Sequence, residues 1–85
     1  MEEKDFPLER ILTVSARDYM DSKLASLHNY ALVGVHSNSS DVMDFSRKVP
    51  KNAEVVVDYR IFITGTHGTT HTIVSGTALI PKKQL

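Results

Sequence analysis

The clearest pattern along the chain lies between residues 54 and 80. Val55, Val57, Tyr59, Ile61 and Ile63 alternate with Val56, Asp58, Arg60, Phe62 and Thr64, a period of two over ten residues. Gly65-Thr66-His67-Gly68-Thr69-Thr70-His71 then reads as a loop, with Gly65 and Gly68 able to take positive φ. A second β-rich run, Thr72 to Ile80, follows and Pro81 stops it. Two long strands around a glycine-containing loop predict a C-terminal β-hairpin. Gly76 lies inside the returning strand, where it marks a bulge or a place where a large cross-strand neighbour needs room. Thr77 beside it reads as a strand residue.

Upstream the pattern changes twice. Residues 1–7 read as a charged lead-in ending at Pro7, and Arg10 to Ser15 as a short strand. Ser15 then suits a helix N-cap with Asp18 at the third helical position. Met20, Leu24 and Leu27 follow at spacings of four and three, which predicts one apolar helix face between Ala16 and His28, broken by Asn29. Tyr30 to His36 is nearly continuous in apolarity and predicts a strand covered on both faces. Ser40 caps a predicted short helix from Asp41 to about Lys48 that buries Val42, Met43 and Phe45 and ends before Pro50 and Asn52. The order of elements gives an α+β domain: a small, largely antiparallel sheet with one or two helices on one face. With 85 residues and no linker or repeat, the whole chain is expected to be a single domain.

Size and charge narrow the function. A chain this short buries about 60–65% of the surface its unfolded form exposes, and small domains compensate with disulfides, metals or association. Cysteine is absent, so disulfides and thiolate zinc sites are excluded. Two long strands also make sheet edges that need a partner, so a homo-oligomer is expected. Ten basic residues balance ten acidic ones, leaving no excess to neutralise phosphates, and nucleic acid is not an expected partner. No apolar run approaches the ~20 residues of a membrane span, and the N-terminus lacks a secretory pattern, so no membrane role and a cytoplasmic location are expected.

Chemistry is sparse. His67 and His71, four apart in the predicted loop, could both reach one divalent metal ion, completed by the same loop from other subunits or by Asp58 or Asp44. A structural site wants four ligands, so local hydrogen bonding in a solvated loop is the simpler account. His28 suits a helix C-terminus and His36 a hydrogen-bonded strand end. Gly-x-Ser-x-Gly is absent, and the Gly65–His71 segment lacks the Lys-Ser/Thr pair of a phosphate loop. No catalytic residue or cofactor is assigned. Asp58 and Arg60 read as solvated or cross-strand charge partners.

The segment Lys51-Asn52-Ala53-Glu54-Val55-Val56-Val57-Asp58-Tyr59-Arg60-Ile61, with Ile73-Val74-Ser75-Gly76-Thr77-Ala78-Leu79 after a loop, resembles the end of the YbjQ-like family of small proteins. The resemblance spans residues 42–80. It implies an α+β fold, assembly into a ring of the pentameric kind, and a heavy-metal-binding label. Selenium binding in a relative depends on cysteine, which this chain lacks, so that property does not carry over. The family's glycine-rich stretch and longer helix correspond here to Ser37–Pro50, which is shorter and free of glycine. The leading expectation is therefore a self-assembling, non-enzymatic binding or structural domain. The alternatives are a metal-ion binder using His67 and His71, a small enzyme with an inter-subunit site, and an adaptor that accepts a partner's strand.

Overall fold

The computed structural model describes residues 6–39 and 41–84. Helix α1 (Ala16–Lys23), strand β1 (Tyr30–Ser37), helix α2 (Val42–Lys48), strand β2 (Val55–Thr66) and strand β3 (Thr69–Pro81) follow in order. The three strands form one antiparallel sheet with β3 central, in the order β1-β3-β2. The expected α+β class and C-terminal hairpin are both present.

Alternation divides the sheet into two faces, and each face has its own helix. Phe45 and Val49, from α2 and its end, pack with Val35, Val56, Val74, Ala78 and Ile80. Met20 of α1 packs with Val55, Val57 and Leu79 on the other face, flanked by Leu12, Tyr19, Leu27 and Tyr30. The helices thus cover opposite faces rather than sharing one, because Val55 and Val56 are neighbours that point in opposite directions.

The alternation in β2 is interrupted. Val57 pairs with Thr77 and Arg60 with Ser75, so Asp58 and Tyr59 form a bulge. Asp58 takes φ +56°, which Asp tolerates better than most residues. The bulge returns Tyr59 to the Val56 face, where its ring meets Phe45 edge-on at 5.2 Å. Asp58 and Arg60 then lie 3.6 Å apart and pair with each other.

Several local expectations change. Ser15 caps α1 by accepting from the Asp18 N–H, as its position suggests. The helix, however, stops at Lys23, and Leu24 closes it at φ +53° with its side chain 96% exposed. A 3₁₀ turn, Leu27–Asn29, replaces the last turn predicted up to His28. Ser40 lies outside the described residues; the cap of α2 is Asp41, which accepts from the Met43 N–H. Phe45 and Ser46 are its buried residues, while Met43 is exposed. Phe6, expected in the lead-in, is buried with the α2 cluster. Arg10 ends a 3₁₀ turn instead of opening a strand, and only Ile11 forms a bridge, parallel to Val56. Strand β1 is an outer strand, with Leu32, Val33 and His36 exposed, so it is not covered on both faces.

The hairpin is tighter than its sequence suggests. Its loop shrinks to His67-Gly68, both at positive φ (+53° and +81°), as a type I′ turn requires. Gly65 and His71 lie in the strands. Because β1 ends opposite Val74, the hairpin beyond that point projects as an arm. The radius of gyration is 14.1 Å, against about 12 Å for a compact chain of this length.

Candidate functional site

Glu54 stands immediately before β2 and gathers side chains from two elements, α1 and β1. Its carboxylate accepts from the Tyr19 hydroxyl at 3.0 Å, from the Tyr30 hydroxyl at 3.0 and 3.1 Å, and from the Lys23 ammonium at 3.1 Å. Lys23 also donates to the Tyr19 hydroxyl at 3.1 Å and lies 5.2 Å from the centre of the Tyr19 ring. Tyr19 and Lys23 share one helix face because they are four residues apart. Tyr30 opens β1 beside Pro81, and Glu54 donates its backbone N–H to the Leu79 carbonyl, which fixes the carboxylate between them.

The protonation states follow from these contacts. Burial by itself raises the Glu54 pKa, but hydrogen bonds from Lys23, Tyr19 and Tyr30 outweigh it and hold the carboxyl below its ordinary value. The Tyr19 hydroxyl and then Glu54 raise the Lys23 ammonium above its ordinary value. Burial, followed by the hydrogen bond to Glu54, raises Tyr30. At neutral pH Glu54 is therefore a carboxylate, Lys23 an ammonium and Tyr30 a neutral phenol. A general acid or base works best with a pKa near the operating pH, and the shifts of Glu54, Lys23 and Tyr30 move away from it. The arrangement fastens α1 and the start of β1 to the start of β2.

Two open clefts flank Glu54. One, of about 350 Å³, is bounded by Ala25, Asn29, Tyr30, Pro81, Lys82 and Lys83. The other, of about 420 Å³, is bounded by Glu9, Arg10, Leu12, Tyr19, Lys23 and Val55. Residue spacing did not single out this cluster; the only signal in the sequence is the Tyr19/Lys23 pair at i, i+4.

The residues singled out in the sequence are placed as follows. His67 forms the tip of the hairpin turn and His71 lies on β3 opposite Thr64, both exposed. Among the described residues, no three His, Cys, Asp or Glu side chains gather as metal ligands. His28 is exposed in the 3₁₀ turn before β1, and His36 is exposed near the end of β1. Gly76 sits opposite Val35 in mid-sheet, where an added Cβ would lie 2.8 Å from Val56 Cγ1 and 3.2 Å from Phe45 Cζ. It makes room for the core and contacts no open surface. Thr77 lies between Gly34 and Val57.

The remaining conspicuous surface is apolar. Ile61, Phe62 and Ile63 on the arm are 54%, 45% and 72% exposed, and Leu32 on β1 is 53% exposed. Among the described residues no helix is long and apolar enough to cross a membrane. Comparisons with family models, curated proteins and solved structures return no match.

Proposed function

We propose that the protein is a self-assembling, non-enzymatic structural or binding domain whose working form contains more than one copy of the chain. The observation that carries this reading is the apolar surface left open at the β1 edge, by Leu32 and Val33, and on the arm. Ile61 and Ile63 face one side of it and Phe62 the other, and all three meet solvent in the isolated chain. Ile61 and Ile63 are adjacent on one side, and an exposed apolar pair on a projecting arm fits an interaction surface.

The Glu54 carboxylate, already occupied by Tyr19, Tyr30 and Lys23, supports the non-enzymatic part of the reading. Light scattering coupled to size exclusion is the test: a molar mass of at least two chains at 50 µM is expected, and a single-chain mass up to 500 µM overturns it.

A further inference from the structure

Resting on that self-assembly reading, we infer that two copies join by antiparallel pairing of their β1 edges about a two-fold axis, making one continuous six-stranded sheet. The two edges of the sheet are built differently. The β2 edge is occupied over its first part: Leu12 N–H donates to Val56 O, Asp58 N–H to Val14 O and Tyr59 N–H to Leu12 O. It also carries the Asp58–Tyr59 bulge and Arg60, all devices that stop a strand from recruiting another.

The β1 edge has none of these among its described neighbours. Its eight residues, Tyr-Ala-Leu-Val-Gly-Val-His-Ser, contain no Lys, Arg, Asp, Glu or Pro, and their pairing with β3 runs without a register shift. Leu32 and Val33 are exposed on opposite faces, so a neighbouring strand would shelter both. Open space surrounds Gly34, where an added Cβ would meet nothing within 4 Å.

Charge selects a second copy as the occupant. Lys82 and Lys83 follow Pro81, which pairs with Tyr30, so two cations stand at the start of β1. Two carboxylates stand at its end: Asp44 accepts from the Ser37 hydroxyl, and Asp41 caps α2. Lys48, 3.8 Å from Asp44, offsets part of that charge. Antiparallel pairing with Val33 or Gly34 on the axis sets the Tyr30 end of each copy against the Ser37 end of the other. The lysines of each chain then face the aspartates of its mate, twice by symmetry, whereas a parallel arrangement would juxtapose like charges. The two arms project from opposite ends of the joined sheet.

Three variants test the pairing against wild type, each checked for folding by circular dichroism and a urea midpoint. Leu32→Lys/Val33→Lys places the charges that natural edges use. Ile61→Lys/Ile63→Lys alters only the arm. Lys82→Glu/Lys83→Glu leaves the strand untouched and removes the complementarity. The expected result is a two-chain mass for wild type and for the arm variant, and a single-chain mass for the edge variant. The glutamate variant should dissociate about three- to tenfold more readily at low salt, and amide exchange should show the outward N–H groups of Tyr30–Ser37 protected only in the two-chain form. A two-chain edge variant with a single-chain arm variant overturns edge pairing while self-assembly stands. A wild-type mass above two chains, or single chains from both lysine variants, overturns the two-fold arrangement in favour of head-to-tail contact. A single-chain wild type overturns both readings.

Discussion

Replacing Gly76 with alanine should destabilise the protein, and the size of the loss can be worked from the packing around it. The added methyl would stand 2.8 Å from Val56 Cγ1, 3.2 Å from Phe45 Cζ and 3.4 Å from the Val57 carbonyl oxygen. Val56 and Phe45 are completely buried, and a β-branched side chain has few rotamers to retreat into. Overpacking of this kind costs about 1–3 kcal/mol. The stiffer unfolded chain of alanine returns about 0.4–1 kcal/mol, so the net loss is about 1–2 kcal/mol. In the single chain Gly34→Ala provides the control, since its methyl meets nothing within 4 Å there and only the favourable chain-entropy effect remains. Each kcal/mol moves the melting temperature by about 4–8 °C in a domain of this size, so the two variants should differ by about 6–24 °C. Urea and thermal unfolding at a few micromolar, where association contributes least, measure both. A Gly76→Ala variant as stable as Gly34→Ala would refute the claim that this glycine makes room for Phe45 and Val56.

Three further outcomes follow from local features. Leu24→Gly should stabilise by about 1 kcal/mol, because Leu24 holds φ +53° with almost no buried surface to lose; a lower urea midpoint would count against it. The Glu54 cluster predicts a pH profile of stability. The folded-state pKa of Glu54 is lowered, so its contribution is complete above about 4.5 and disappears as pH falls through the lower folded value. Lys23 and Tyr30 are raised, so their contributions are complete below about 10 and fade as pH rises further. Glu54→Gln should therefore lose about 1 kcal/mol near neutrality and show a shallower acid-side decline in urea midpoint than wild type; an unchanged acid limb would refute the ion-pair account. Zinc titrated calorimetrically into wild type and into His67→Ala/His71→Ala should give equal, weak heats, since the two rings lie exposed without a third ligand nearby among the described residues. A stoichiometric site lost in the double variant would restore the metal reading.

The Glu54 site shows how far residue patterns reach. Tyr19 and Lys23 share a helix face by spacing alone, but Tyr30 and Glu54 lie 24 residues apart and join only when β1 and β2 flank β3. The histidine pair illustrates the opposite case. Nearness in sequence suggested a shared loop, and the I′ turn instead put His67 at the tip and His71 in a strand. In both cases the residue types were visible and their partners were not.

The period-two run from Val55, the glycines and the Ser15 cap are local features, and they determined by themselves that there is a hairpin, an N-capped helix and an α+β chain. Tertiary structure decided which side of each element is wet. The Asp58–Tyr59 bulge changed the face that Tyr59 presents, and Leu24 turned outward where the helix ended. β1 became an outer strand because β2 and β3 paired with each other and only one edge of β3 remained. Backbone dihedrals and side-chain period depend on neighbours along the chain, so the sequence carries them. Burial depends on which distant segment arrives to cover a surface. For β1 and the arm, no described segment of the same chain does.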